Sequence, residues 1–197
     1  MVLARAIQAK IAEVNQAPVR PAFQPIKFVA AGGKATPDKK SVRFGLLEKA
    51  RDWECDFDLP EFHSGNSQFV FPHDVCMTSS RIDGYIVSRK EKICIAGPEL
   101  TVPMEERIHY WHMSKMHKYE ELLTNKASGW QVFRLVLEVG SRGFIPPSFV
   151  AVLKKLGFNN PEISKLKKKC SLMSQRCSYV IWLNRSNSNF RPWRFTD

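Results

Sequence analysis

Hydrophobic and polar positions repeat with different periods along this chain, and these periods predict its secondary structure. Residues 1–16 carry apolar side chains at helical spacing, and the prolines that follow from position 18 stop any helix. Apolar and acidic residues then alternate over 52–59, which is strand spacing. We therefore expect an N-terminal helix, a Gly/Lys-rich loop over 30–41, and a helical turn at 46 that leads into a strand.

A β-hairpin is predicted farther along the chain. Two short apolar runs, Gly84–Ser88 and 93–96, flank a charged turn with the sequence RKEK. A turn is expected before the hairpin, over 61–67.

The second half of the chain predicts more helix than strand. Helical spacing extends over 104–128, and a β-rich run, WQVFRLVLEV, covers 130–139. A Pro-Pro pair opens a further helix that ends near residue 157. A lysine-rich helix is expected over 161–178, and 179–183 continues it as either helix or strand.

The order β-β-α-β-α predicts an α/β fold with a mixed central sheet flanked by helices. Residues 1–20 are interpreted as an amphipathic helix and linker, 21–185 as the domain, and 186–197 as a basic aromatic tail. Arginine and aromatic residues in that tail suit either stacking on unpaired bases or packing back onto the domain.

Two carboxylates bracket the predicted hairpin. Asp83 opens the first arm and Glu99 ends the second, so folding about the turn sets them nearly opposite each other. Cross-strand neighbours lie roughly 5 Å apart, and two carboxylates at that separation repel unless a cation bridges them or one is protonated. Oxygen ligands of this kind suit Mg²⁺ or Mn²⁺.

A lysine lies on the apolar face of the helix predicted after the hairpin. The positions that share this face are Ile108, Trp111, His112, Lys115, Tyr119, Leu122 and Leu123. A lysine side chain is rarely buried in such an apolar stripe unless it has a partner of opposite charge. Lys115 either orients or deprotonates a water beside the two acids, or extends along the edge of the stripe to reach solvent.

Charge is distributed unevenly around this region. The net charge is +11, with ten basic and three acidic residues over 1–51, nine and fourteen over 52–140, and eleven and two over 141–197. An acidic middle between basic flanks suits a metal-dependent nuclease, although solvated basic faces explain the flanks equally simply.

The five cysteines form no CxxC pair, which indicates a reducing compartment rather than a disulfide framework or a zinc site. The sequence contains no apolar run of about 18 residues, so no membrane span is predicted.

Several segments, taken in order, resemble a known family. They are GLLEKARDWECDFDL (45–59), TSSRID (78–83), ELTVPME (99–105), KMHKY (115–119), GWQVFRLVLEVGSRGF (129–144) and SYVIWL (178–183). Together they resemble the endonuclease of site-specific non-LTR retrotransposons, and more closely the related endonuclease-like proteins of animal genomes. The resemblance covers 23–185 and implies a restriction-endonuclease-like, PD-(D/E)XK fold that cuts DNA.

The resemblance also implies roles for individual residues. Asp83 matches the first metal-binding aspartate, and Glu99 matches the acid of the second strand, so that Mg²⁺ or Mn²⁺ is the expected cofactor. Lys115 matches the catalytic lysine that this branch carries on the following helix, where Tyr119 lies one turn later. Lys118 is the second candidate for that lysine. Thr101 stands at the position where many PD-(D/E)XK enzymes have the catalytic lysine.

Within the segment 129–144, the sequence EVGSRG (138–143) matches a stretch that recurs in the family. It includes Glu138, Arg142 and Gly143, for which a structural or a DNA-facing role is expected.

Two departures from the family pattern bear on activity. Ile82 replaces the proline that usually precedes the aspartate, and this proline is not a ligand. Gly97 and Pro98 interrupt the strand before Glu99 and predict a bulge that moves its carboxylate. The alternative to an endonuclease is therefore a catalytically inactive module on the same fold that binds DNA or protein.

DNA is the expected partner, together with other retroelement domains or RNA. The candidate nucleic-acid-binding residues are Arg142, Lys154, Lys155, Lys167, Lys168 and Lys169. A solvated helix face explains the same lysines as an alternative. A nuclear location is expected from DNA binding alone, and cytoplasmic and mitochondrial locations stay open, the latter because the first helix is basic and amphipathic.

Overall fold

A computed structural model describes residues 2–18, 45–59, 69–78, 80–188 and 190, without the side chains of 98 and 99. The helices are α1 (Val2–Gln16), α2 (Ile108–Lys118), α3 (Glu121–Thr124), α4 (Pro147–Leu156) and α5 (Asn160–Leu183). The strands are β1 (Trp53–Phe57), β2 (Gly84–Ser88), β3 (Ile93–Thr101) and β4 (Gln131–Glu138). Short 3₁₀ turns occur at Leu46–Lys49 and Glu105–Arg107.

The four strands form one mixed sheet in the order β1-β2-β3-β4. β1, β2 and β3 are antiparallel neighbours, whereas β4 runs parallel to β3. The predicted hairpin is confirmed, and its turn carries Lys92 at φ 52°. The predicted α/β class with a mixed sheet flanked by helices is also confirmed.

Each face of the sheet is covered by a separate hydrophobic core. The main core lies under α1, α4 and α5 and includes, among others, Ile7, Leu47, Trp53, Ile86, Ile95, Leu137, Phe149, Leu153 and Leu166. The second core lies under α2 and α3 and includes Phe71, Val75, Cys76, Ile82, Val87, Cys94, Ala96, Tyr119, Leu122 and Trp130. Cys94 in this core is fully buried, with an exposed fraction of 0%.

Helix α1 shares the main core with the sheet. Its buried residues are Leu3, Ala4, Ile7, Ile11 and Val14, which follow the helical spacing read from the sequence. Lys10 Nζ lies 3.1 Å from a carboxylate oxygen of Glu162 in α5, so the first and last helices are directly joined. The predicted segment 1–20 therefore contributes to the same core as the domain that follows it.

The single helix predicted over 104–128 is wrong. The chain forms a 3₁₀ turn, then α2, then the short α3, with a break at Tyr119. The side chains of Tyr119 and Leu122 are fully buried, and the backbone leaves helical geometry between them to follow the sheet surface. Arg134 Nη1 donates to the carbonyl of Met116 near the end of α2. Trp111, expected on the inward face, is 38% exposed.

Other expectations have mixed outcomes. Residues 179–183 continue α5 as helix, which was one of the two alternatives. The predicted loop at 30–41, the turn at 61–67 and most of the tail at 186–197 lie outside the described residues. Of the helices that the structure describes, none combines the length and apolar character needed to span a bilayer.

Candidate functional site

Strand β3 contains the predicted bulge. Ala96 pairs with Arg134 and Glu99 pairs with Val136, so that two β3 residues stand opposite the single residue Leu135. Gly97 has φ 59°, a backbone conformation that glycine adopts without steric cost. The inserted residue is therefore absorbed within the strand, and pairing with β4 resumes at Glu99.

The bulge decides to which face of the sheet position 99 belongs. In β4, Arg134 and Glu138 bond to residues of α2, while the alternate position Leu137 belongs to the main core. A one-residue change of register moves a position to the opposite face. Because Glu99 pairs with Val136, which lies between Arg134 and Glu138, the register assigns position 99 to the α2 face. The side chain of Glu99 itself lies outside the described part of the structure.

The exposed carboxylate of Asp83 precedes β2 on this same face of the sheet. Its backbone carbonyl accepts a hydrogen bond of 2.9 Å from the N–H of Asp58, which fixes the chain at the end of β1. Val87, four residues later in the alternating strand, packs in the second core. Pairing between β2 and β3 ends at Tyr85 and Ala96, and both predicted acids lie beyond this pair. Continued past that pair, the register sets Asp83 at the level of the β3 bulge that precedes Glu99, so the nearly opposite arrangement of the two acids stays a prediction.

Helix α2 brings Lys115 and Tyr119 to Asp83. Burial and the nearby charge of Lys118 lower the pKa of Lys115, and the charge of Asp83 opposes that change. Burial and the charge of Asp83 raise the pKa of Tyr119, whose side chain is fully buried. Lys115 and Tyr119 therefore each interact electrostatically with Asp83, which lies in a distant segment of the chain.

Lys118 joins the end of α2 to the segment before β2 that carries Asp83. Its Nζ donates to the carbonyl of Arg81 at 2.8 Å and to the hydroxyl of Tyr119 at 3.3 Å. It also lies 4.9 Å from the centroid of the Tyr119 ring. Of the five predicted catalytic residues, Asp83, Lys115, Lys118 and Tyr119 therefore meet at one location.

Arg81 belongs to the site but was missed by the sequence analysis. Its guanidinium donates to Asp58 Oδ2 at 2.9 and 2.7 Å, and its pKa is raised by this pair and, more weakly, by Asp83. The side chain is 81% exposed. Its position two residues before Asp83 was the available signal, but its partner lies 23 residues earlier and gave no local pattern.

The donor chemistry of this face fits a divalent cation. Asp83 is exposed, and carboxylate oxygens are the hard ligands that Mg²⁺ and Mn²⁺ prefer. Among the described residues, no group of three or more His, Cys, Asp or Glu side chains could hold a metal ion. A metal here would therefore use Asp83 and Glu99 and complete its coordination with water or phosphate oxygens.

Glu138 has a structural role. Its carboxyl is fully buried, with one oxygen 2.6 Å from Nδ1 of His112 and the other accepting a hydrogen bond of 3.0 Å from Ser148 Oγ. These contacts join β4 to α2 and to the first turn of α4. Thr101, which pairs with Glu138 in the sheet, has a buried hydroxyl without a hydrogen-bond partner among the described residues.

The rest of the EVGSRG segment also fixes the fold. Arg142 donates at 2.7 Å to each of Glu105 and Glu106, so its guanidinium is engaged within the protein. Gly143 has φ 92°, and a Cβ there would lie 2.6 Å from the side-chain nitrogen of Gln175. The DNA-facing alternative for this segment gains no support from these contacts.

The predicted nucleic-acid-binding lysines are exposed but are not brought together with Asp83. Lys154 and Lys155 lie on α4, and 167–169 lie on α5, and both helices cover the main core. Lys155 Nζ lies 5.5 Å from the ring centroid of Phe133. The candidate site and these lysines thus occupy opposite faces of the sheet.

Comparisons of the chain with protein-family models, with curated proteins and with solved structures each found no match.

Proposed function

We propose that this protein is a metal-dependent DNA endonuclease of retroelement origin with a restriction-endonuclease-like fold. The observation that carries the proposal is the meeting of Asp83, Lys115 and Tyr119 on the face to which the β3–β4 register assigns Glu99. The order of elements supports it, because Asp83 directly precedes β2, Glu99 lies in the neighbouring strand β3, and Lys115 follows on α2. DNA in the nucleus is the proposed partner.

The two acids are the proposed ligands of Mg²⁺ or Mn²⁺. Such an ion polarises a phosphate oxygen and lowers the pKa of bound water. Asp83 is exposed at the site, so its carboxylate is accessible to substrate phosphate as well as to the ion. Arg81 and Lys118 add positive charge that attracts the DNA backbone.

Lys115 is the proposed general base. Its lowered pKa favours the neutral amine, which can accept a proton from an attacking water at Nζ. Lys118 promotes this state through charge repulsion. The buried Tyr119 hydroxyl, whose pKa is raised, stays protonated and helps to hold the Lys118 ammonium in place.

A second candidate function is DNA binding without cleavage. Arg81 and Lys115 each interact electrostatically with Asp83, and Lys118 donates to the backbone carbonyl of Arg81. Cationic side chains of this kind bind a phosphate without any metal. This arrangement specifically favours the inactive binding module, so the experiment must separate cutting from binding.

Plasmid cleavage tests the proposal. Supercoiled DNA incubated with the protein and Mg²⁺ or Mn²⁺ should be nicked or linearised, and Asp83→Ala should reduce the rate by about 10²-fold or more. Asp74→Ala is the matched control, because Asp74 is an exposed acid paired with Arg89 at the far end of β2. It should cut at the wild-type rate.

The same preparation distinguishes the alternatives. Wild-type protein that binds DNA but cuts it with neither metal would establish the binding module. DNA binding that does not weaken as salt concentration rises would contradict both candidate functions.

A further inference from the structure

A cleft of about 530 Å³ opens beside the candidate site. Arg81 and Ile82 line it and are followed directly in the chain by Asp83. Its volume lies within the range of small-molecule sites in proteins. A ligand whose phosphate contacts Arg81, or Asp83 through a metal ion, therefore has a cavity within reach of its neighbouring groups.

One wall of this cleft is aromatic and braced from β2. Phe69 and Phe71 line the cleft, and each ring centroid lies 5.8 Å from that of Tyr85, at interplanar angles of 44° and 83°. Phe71 is 7% exposed, so its position is fixed by packing. The wall is thus a preformed surface on which a flat ring can stack.

The opposite side of the cleft is polar. Both guanidinium hydrogen bonds from Arg81 end on Oδ2 of Asp58, and among the described residues no donor reaches the other oxygen, Oδ1. Asp58 is partly buried, with 24% of its side chain exposed. Because Asp58 lines the cleft, its second oxygen is available as an acceptor for a ligand there.

The loop that closes the cleft is held in place. The hydroxyl of Thr78 donates to Glu121 of α3 and accepts a hydrogen bond of 3.0 Å from the N–H of Ser80. Hydrogen bonds from Ser80 and Thr78 lower the pKa of Glu121, which stabilises its charged, accepting form. These contacts tie the Thr78 and Ser80 side of the cleft to α3.

We infer that this cleft binds one unpaired nucleobase of a DNA strand whose adjacent phosphate lies at Asp83. The base stacks on Phe69, and an exocyclic amino group of adenine, cytosine or guanine donates to Oδ1 of Asp58. A base that is stacked and paired inside a duplex has no free face to lay on Phe69, so the strand is single-stranded or the base is turned out of the duplex. Only the placement of the phosphate rests on the proposed endonuclease function.

The test compares two oligonucleotides that differ by one base. Short single strands of DNA carry at their centre either 2-aminopurine, which has an exocyclic amino group, or an abasic site. Binding to the wild-type protein is measured in EDTA, so that cleavage does not interfere. We expect the base to strengthen binding about 5- to 100-fold and its fluorescence to be quenched by stacking.

Variants of the wall assign the effect to this cleft. Phe69→Leu keeps an apolar side chain but removes the ring, and it should bind both oligonucleotides as weakly as wild type binds the abasic one. Phe69→Trp should retain the preference for the base. Val70→Ala is the matched control, since Val70 also lines the cleft and is 56% exposed but offers no ring.

The outcomes separate this inference from the endonuclease proposal. Equal wild-type affinity for the two oligonucleotides, or no binding of either, overturns the cleft even if plasmid cleavage succeeds. A base preference that Phe69→Leu abolishes supports the cleft even if the protein cuts no DNA. If Phe69→Leu does not fold, as its melting curve would show, the wild-type comparison decides.

Discussion

The Nδ1 atom of His112 lies 2.6 Å from Oε1 of Glu138, a carboxyl with no exposed surface. His112 is one helical turn before Lys115, so the pair holds the helix that delivers the candidate lysine. A buried carboxyl that loses its partner strongly destabilises the folded protein.

We therefore expect His112→Ala to lower the free energy of unfolding by about 3 kcal/mol. His117→Ala is the control: it lies on the same helix, is 87% exposed and pairs with Glu120. It should cost about 0.5 kcal/mol or less. Chemical denaturation measures both, and equal losses would mean that the buried contact contributes nothing special.

Lys115 should titrate below the ordinary lysine pKa of 10.5. Lys118→Met removes a like charge and should raise that pKa, whereas Asp83→Asn removes a favourable charge and should lower it further. Carbon-13 NMR of labelled lysines can follow each titration. A Lys115 pKa that neither substitution moves would contradict the proposed cluster.

The same charges predict how cleavage depends on pH. If the neutral Lys115 amine accepts the proton, the rate rises with pH until the pH exceeds its folded-state pKa. Because Lys118→Met raises that pKa, the profile should move to higher pH, while Lys126→Met, at an exposed position outside the site, should leave it in place. A shift to lower pH in Lys118→Met would be inconsistent with a basic role for Lys115.

Deleting bulge residues tests the position of Glu99. Deletion of Pro98 should restore an uninterrupted strand in which Glu99 still pairs with Val136, so cutting should be retained. Deletion of Gly97 and Pro98 together should pair Glu99 with Leu135, whose side chain packs in the main core. This larger deletion should lower the cleavage rate about 10²-fold or more and lower the melting temperature.

Plasmid cleavage and thermal melting distinguish the two deletions. Loss of cutting in the single deletion, with an unchanged melting temperature, would show that Glu99 does not act from the α2 face.

Salt dependence locates the bound DNA. On a duplex of about one helical turn, roughly ten base pairs, Arg81→Ala should reduce the slope of log affinity against log salt by about 0.9. Lys168→Ala should not change it, because α5 covers the opposite face of the sheet. Fluorescence anisotropy at several salt concentrations gives both slopes. A smaller slope for Lys168→Ala alone would place the DNA on α5 instead.

Local periodicity predicted what depends on neighbours in sequence. The hairpin, α1, the α4 and α5 helices and the inward position of Lys115 all follow from spacing within a few residues. The bulge was also predictable, because Gly97 and Pro98 both disfavour regular strand.

Long-range pairing could not be predicted in the same way. The face on which Glu99 lies depends on its register with Val136 in a parallel strand, and no local pattern specifies that register. The Arg81 contact with Asp58 and the His112 contact with Glu138 join residues 23 and 26 positions apart. The break at Tyr119 arises from packing against the sheet, which overrides the helical propensity of 104–128.

The contact between α1 and α5 has a consequence for biosynthesis. Lys10 and Glu162 are separated by 152 positions, and their helices cover the same face of the sheet. During translation α1 can pack first on the segment that carries β1, because Asn15 exchanges two hydrogen bonds with the backbone of Trp53. Its contact with α5 forms much later. Contacts between such distant segments slow folding, so the part of the apolar stripe that α5 covers stays exposed on the nascent chain until then, and that part is where we expect chaperones to bind.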